Sequence, residues 1–129
     1  MAKWVNSLVQ DNGLNQIKNS ATKMVLISAY TAGDSYATVN TNTVASVTMT
    51  SADYTLAGAA GAPRTLTVAS GKTATATATA SGTPDLHVAF TNGTDTVYWV
   101  TDETSNQPIT SGNTVTFTTG PVFTVNQPT

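Results

Sequence analysis

The chain's single histidine, His87, has an aspartate two residues before it, in the segment Asp85-Leu86-His87. Residues two apart on a β-strand share a face, so Asp85 could orient the imidazole for general-base catalysis or join it in binding a metal ion. The chain has no second histidine to complete such a site. We therefore interpret His87 as a solvent-facing strand residue, and the sequence predicts no metal site.

The other residue patterns known from catalytic sites each lack a necessary residue in this sequence. Asp102 and Glu103 are the only adjacent carboxylates, and neighbours at a strand end point apart, which disfavours a paired-carboxylate hydrolase site. No serine lies in a G-x-S-x-G context, and the segment AGAAGAP (57–63) lacks the lysine that follows a phosphate-binding loop. Cysteine is absent, which removes thiolate chemistry and disulfides. The sequence predicts a protein that is not an enzyme and needs no cofactor.

The low content of charged residues disfavours some classes of binding partner. Only 9% of the 129 residues are charged, against about 25% in a typical domain, and the net charge of −2 comes from scattered residues. Nucleic acid and anionic membranes are bound through clustered Lys and Arg, so we expect neither as a partner. No apolar stretch approaches the roughly 18 residues of a membrane span. The first residues, MAKWVNSLVQDNG, do not resemble a secretory signal, and we expect synthesis in a cytoplasm.

Threonine occurs 27 times, and its branched side chain favours strands over helices. The segments LHVAFT and TVYWVTD flank Asn92-Gly93, which supplies the positive-φ residues of a tight hairpin turn. Short strands at turn-marked intervals predict an antiparallel β-sandwich, or a barrel-like variant, over residues 23–129. The strands are expected at 23–29, 47–50, 54–56 (these two being one interrupted strand or two), 64–68, 72–80, 86–91, 96–102, 114–118 and 122–125, with a turn-rich stretch at 31–46 that includes a short helical turn near 36–40.

Residues 1–22 are predicted to form an N-terminal helical segment with two apolar faces. One face carries Leu14, Ile17 and Ala21. At 100° per residue these three lie nearly opposite a second apolar set, which is named at the end of this paragraph. Either Gly13 ends one short helix and a second begins, or a single helix is covered on both sides. The helix then caps its own core or lies between its domain and a neighbouring subunit. The second set, a candidate interface stripe or part of the monomer's core, comprises Trp4, Val5, Leu8 and Val9.

The segment GKTATATATASGT (71–83) alternates threonine and alanine. We expect its alanine face to let a neighbouring sheet approach closely and its threonine face to stand in water. The register of such a strand is weakly specified, because sliding by two residues presents the same surface. A free edge of this kind invites association, with only Lys72 near it as a deterrent. Coverage within an assembly or a central place in the monomer's own sheet would each remove the hazard.

Two adjacent aromatic residues, Tyr98 and Trp99, raise the alternative of a carbohydrate-binding module. Consecutive strand residues face opposite ways, so the two rings should not form one stacking platform. We expect Trp99 to belong to the core.

Three segments resemble a known class of protein: MAKWVNSLVQDNGLNQIKNSATKMVLISA at the start, SADYTLAGAAGAPRTLTV in the middle and GTPDLHVAFTNGTDTVYWVTDETSNQPITSGNTVTFTTGPVFTV at the end. In layout they are similar to the small virion proteins of tailed bacteriophages that decorate or cement capsids.

The resemblance implies a non-enzymatic structural protein, made in the host cytoplasm and located on the virion. Its partner would be the major capsid protein, with further copies of itself on the particle, and it would bridge neighbouring capsid subunits. Tail, neck and fibre-associated phage proteins share similar β units and remain an alternative location. The interface would use the stripe of Trp4, Val5, Leu8 and Val9.

Overall fold

The structure is a computed structural model that describes residues 2–129. It is mainly β, with antiparallel sheets that pack against each other in a sandwich-like arrangement and a helix at the N-terminus. The elements are α1 (Ser7–Ser20), β1 (Lys23–Ile27), α2 (Tyr36–Thr41), β2 (Thr43–Thr48), a 3-10 turn (Ser51–Asp53), β3 (Tyr54–Ala57), β4 (Arg64–Val68), β5 (Lys72–Thr75), β6 (His87–Thr91), β7 (Val97–Asp102), β8 (Thr114–Phe117) and β9 (Val122–Val125).

Three antiparallel sheets build the described part of the chain. The largest has the order β2-β1-β6-β7, the second has the order β3-β4-β9, and β5 pairs with β8. Buried side chains from all three sheets and from α1 join in one core, among them Leu14, Phe90, Leu66 and Phe117. The helical segment and the β-strands are therefore held together by shared apolar burial.

Helix α1 is continuous through Gly13, so the single-helix alternative is the one observed. It begins after Asn6, whose side chain accepts a hydrogen bond from the Leu8 N–H, as expected of an N-cap. Trp4 and Val5 therefore precede the helix, which corrects the prediction that they lie on it. The helix buries Leu14 and leaves its other apolar face toward solvent.

The four-stranded sheet is covered on both faces. The main core covers one side, and α2 packs Val39 against Val25, Ile27 and Ala89 on the other. A sheet buried on both faces does not need alternating apolar and polar residues. The predicted turn-rich stretch 31–46 was too long, since its last four residues belong to β2. Val44 and Ala45 of β2 are both buried in the main core, because Val44 is the extra residue of a β-bulge opposite β1.

The threonine–alanine segment is paired within the monomer, and its first part, β5, forms a two-stranded sheet with β8. Regular strand structure stops at Thr75, but exposure continues to alternate, with Ala76 and Ala80 buried and every threonine exposed. Backbone hydrogen bonds hold both sides: Ala76 N–H donates to the Asn113 carbonyl, and Thr77 N–H donates to the Val44 carbonyl. The segment therefore has partners on both sides at residues 76 and 77, whereas β5 itself has the single partner strand β8 rather than a central place in a sheet.

The predicted hairpin forms between β6 and β7, but its turn differs from the expectation. Gly93 has a positive φ of 76°, whereas Asn92 does not. Instead, the Asn92 side-chain oxygen accepts hydrogen bonds from the N–H groups of Thr94, Asp95 and Thr96 at 2.9–3.0 Å. The asparagine closes the loop through its side chain, a use of Asn that is common in turns.

Candidate functional site

Three large apolar side chains near the N-terminus stand in solvent. Trp4, Leu8 and Val9 are 65%, 69% and 62% exposed, and we call them the N-terminal apolar patch. Single exposed apolar residues are ordinary, but a group of large ones on one short segment is typical of an interaction surface. Such exposure places the three side chains outside the monomer's core.

The geometry of α1 explains why this face points outward. Gln10, Leu14 and Ile17 form the buried side of the helix, at the spacing i, i+4, i+7. Leu8 lies about 160° around the helix from Gln10, at 100° per residue. Burying Leu14 and Ile17 in the core therefore turns the patch away from it.

Gln10 and Gln127 anchor the segment that presents the patch. Gln10 is buried, and its side-chain NH₂ donates to the Val125 carbonyl at 2.9 Å. Gln127 accepts a hydrogen bond from the Val5 N–H at 3.0 Å and donates to the side-chain oxygen of Gln10 at 3.1 Å. Val5 is consequently half-buried, so of the four predicted stripe residues it alone is not part of the exposed patch.

An ion pair fixes the same helix to the second sheet. The Asp11 carboxylate accepts two hydrogen bonds from the Arg64 guanidinium, at 2.7 and 3.1 Å. Paired bonds of this kind restrict orientation more than a single contact does. Neither the glutamine network nor this pair was predicted from the sequence, although the i, i+4, i+7 spacing placed Gln10 in phase with the buried leucine and isoleucine.

The only histidine lies in a cluster with two carboxylates, not on a freely exposed strand face as predicted. His87 opposes Asp102 in the β6–β7 register, and its side chain is 15% exposed. The donor atoms of Asp85, His87 and Asp102 all lie within 4.8 Å of one another. The sequence pointed to Asp85 and His87, and the hairpin adds Asp102.

Trp99 packs against the core, as expected. Its ring stacks on Phe90 with centroids 4.6 Å apart and meets Phe123 edge-on at 5.3 Å. Strand alternation is interrupted at Tyr98, because Phe90 pairs with Trp99 and Thr91 with Val97, leaving Tyr98 as an extra residue. This β-bulge brings Tyr98 and Trp99 against the same core cluster. Contact with Phe90 occupies a face of the indole that a sugar would need.

A polar groove of about 290 Å³ lies beside β8. Leu86 and Phe117 are among its lining residues, together with several threonines and the amide side chains of Gln107 and Asn113. Glu103 is the ionisable side chain among its lining residues, and His87 is not one of them. The groove therefore offers hydrogen bonds but no paired acid and base.

Within residues 2–129, no helix is both long and apolar enough to cross a membrane. No protein family, curated protein or solved structure matches the chain.

Proposed function

We propose that this chain is a non-enzymatic structural protein of a phage virion, most simply a capsid decoration or cement protein. It would bind the major capsid protein and bridge neighbouring subunits, with many copies on one particle. The observation on which the proposal rests is the N-terminal apolar patch, which is exposed and yet firmly held. The layout of the sequence, similar to that of such virion proteins, supports the same assignment.

The patch has the size expected of a weak, repeated contact. Fully burying a large apolar side chain is worth about 1.5–3 kcal/mol, so three residues supply several kcal/mol before association costs are subtracted. One such contact gives weak binding. Many copies on a lattice convert weak contacts into durable attachment, because each bound neighbour raises the effective concentration of the next.

The anchoring of the patch favours binding to a partner over flexible exposure. Gln127 bonds to the backbone of Val5, directly beside Trp4, and the first helical turn begins at the Asn6 cap. A surface already ordered in its bound form loses little conformational entropy on association. The presentation of Trp4 and Leu8 therefore suits docking into a complementary apolar groove.

The neutral surface suits a particle that meets changing salt concentrations. Charged residues are 9% of the chain, and the outward threonines of the 72–80 segment are uncharged. Ion pairs at a surface are screened by salt, whereas apolar contacts are not weakened by it in this way. Attachment through the patch should persist in high salt.

The proposal is tested by mixing purified protein with capsids that lack it. We expect saturable binding at a fixed number of copies per capsid, together with increased resistance of the capsids to heat. The double substitution Leu8→Ser with Val9→Ser should weaken binding at least about 100-fold, since the loss of two buried apolar side chains exceeds 2.7 kcal/mol. Imaging of labelled protein on intact particles separates a shell location from the tail, neck or fibre alternative.

A matched control is available on the opposite end of the chain. Val122 is an exposed apolar residue of β9, at 52%, and does not belong to the patch. Val122→Ser should leave capsid binding unchanged. Absence of binding and of heat protection by the wild-type protein would refute the cement function, and equal effects of the two sets of substitutions would refute the role of the patch.

A further inference from the structure

Three potential metal ligands meet where the β6–β7 hairpin opens. Antiparallel pairing sets His87 directly across from Asp102, and Asp85 precedes the same strand by two residues. One donor atom from each of the three lies within 4.8 Å of the others. From this geometry we infer that Asp85, His87 and Asp102 bind a divalent first-row transition cation such as Zn²⁺.

The histidine is oriented as a metal ligand would be. Its Nδ1 lies 3.1 Å from the backbone carbonyl oxygen of Asp85. A carbonyl can only accept a hydrogen bond, so Nδ1 bears the proton in the neutral ring and Nε2 keeps its lone pair. Histidines that bind metals commonly donate their other ring N–H to such a carbonyl, which fixes the tautomer and the ring.

The free Nε2 faces a carboxylate without bonding to it. Nε2 and the Asp102 Oδ1 are 3.8 Å apart, which is too long for a hydrogen bond. In this tautomer neither of the two atoms carries a proton, and a cation between them would interact with both. Tyr30 packs against the imidazole, with ring centroids 5.6 Å apart, and limits the ring's rotation.

The charge and the exposure of the two aspartates favour closure around an ion. Within residues 2–129, neither Asp85 nor Asp102 forms an ion pair with lysine or arginine. Donors bound at about 2.1 Å to a tetrahedral ion stand about 3.4 Å apart, so the widest separation must shrink by less than about 1.5 Å. Both aspartates are exposed, with the Asp102 side chain at 65%, so a rotation of their carboxylates by that amount would take place in solvent.

The donor set selects the type of ion. One imidazole nitrogen and two carboxylate oxygens form a borderline set, and imidazole favours zinc and its neighbours over calcium or magnesium. Three protein ligands leave at least one coordination position for water. We expect Zn²⁺ to bind more tightly than Mn²⁺, and Mg²⁺ and Ca²⁺ to bind at least tenfold more weakly than Zn²⁺.

The test is a calorimetric titration of metal-stripped protein with Zn²⁺, repeated with Co²⁺ and its visible absorption. We expect one ion per chain. The exposed-site substitutions Asp85→Asn and Asp102→Asn should each weaken binding at least about 10-fold, and His87→Gln about 100-fold. Asp95→Asn, at the closed end of the same hairpin, should leave affinity unchanged.

Two outcomes would overturn the inference. One is the absence of saturable Zn²⁺ binding up to about 1 mM. The other is binding that survives both aspartate substitutions at wild-type strength. The two asparagine variants keep the test valid if His87→Gln disturbs folding, because they are isosteric changes at exposed positions. The result is independent of capsid binding, so either proposal can fail alone.

Discussion

Helix α1 permits a direct comparison between its two apolar faces. Leu14 has 0% exposure, whereas Leu8, on the same helix, is 69% exposed. Both are leucines at helical positions, and replacement by alanine removes the same atoms with no loss of helix propensity. The difference between Leu14→Ala and Leu8→Ala therefore reports burial alone.

The expected magnitudes are well separated. Leu14→Ala removes apolar contacts and leaves a cavity, so it should lower the free energy of unfolding by about 3 kcal/mol, within the range seen for buried leucines. For a domain of this size that corresponds to a fall in melting temperature of about 10 °C. Leu8→Ala should change the free energy of unfolding by less than about 0.5 kcal/mol.

Urea denaturation followed by tryptophan fluorescence measures both values. The slope of the free energy with urea should be the same for wild type and variants, so that midpoint shifts report stability. If Leu8→Ala cost more than about 1.5 kcal/mol, the patch would belong to the core and the interface proposal would lose its basis. If Leu14→Ala cost less than about 1 kcal/mol, the orientation of α1 would be wrong.

Three further predictions concern contacts between elements. The buried Tyr54 hydroxyl donates to a carbonyl at the end of α1 at 2.7 Å, so Tyr54→Phe should cost about 1–2 kcal/mol in urea denaturation. Burial raises the pKa of Tyr54, so wild-type stability should fall as pH rises above about 10, and the Phe variant should lack this contribution to alkaline loss. The Lys72 ammonium, 2.5 Å away, and the backbone N–H of Thr50, which precedes the 3-10 turn, hold the pKa of Asp53 below its usual value. The stabilisation from these two contacts should be present above about pH 4 and lost as pH falls further. Lys72→Ala removes the ammonium, so it should reduce that acid loss of stability in titrations followed by circular dichroism. An unchanged acid profile would contradict the pairing. A Cβ at Gly120 would lie 1.9 Å from a backbone oxygen of β4, whereas one at Gly13 meets nothing within 4 Å. Gly120→Ala should therefore destabilise by more than about 1 kcal/mol and Gly13→Ala should stabilise by about 0.5–1 kcal/mol, and equal melting temperatures for the two variants would refute the packing.

Local patterns predicted the strands well where a more buried face alternates with a less buried one. The alternation of Arg64–Val68 and of the threonine–alanine segment is visible without any partner, because side chains on a strand alternate by covalent geometry. Prediction was poor at the start of β2, where Val44 and Ala45 are both buried. Both side chains belong to the main core, because Val44 is the extra residue of a β-bulge opposite Leu26 and Ile27, and strand alternation does not report a bulge.

The candidate metal site likewise combines a feature that local sequence patterns predict with one that they do not. With an unbroken register from the Thr91–Val97 pair, His87 would oppose Thr101. The bulge at Tyr98 shifts the pairing by one residue and places Asp102 there instead. Turn chemistry predicted the hairpin, but the bulge was not predicted, and without it the second carboxylate would lie on the wrong position of the strand.

The amino-acid sequence by itself determined a β-rich chain with few charges, no thiol chemistry and an N-terminal helix with two apolar faces. These properties follow from side-chain size, branching and polarity, which each residue brings with it. Only the tertiary structure decided that Leu14 faces inward and Leu8 outward, and that Asp102 meets His87. The physical reason is that burial and register are properties of pairs of elements, settled by whichever packing removes the most apolar surface from water.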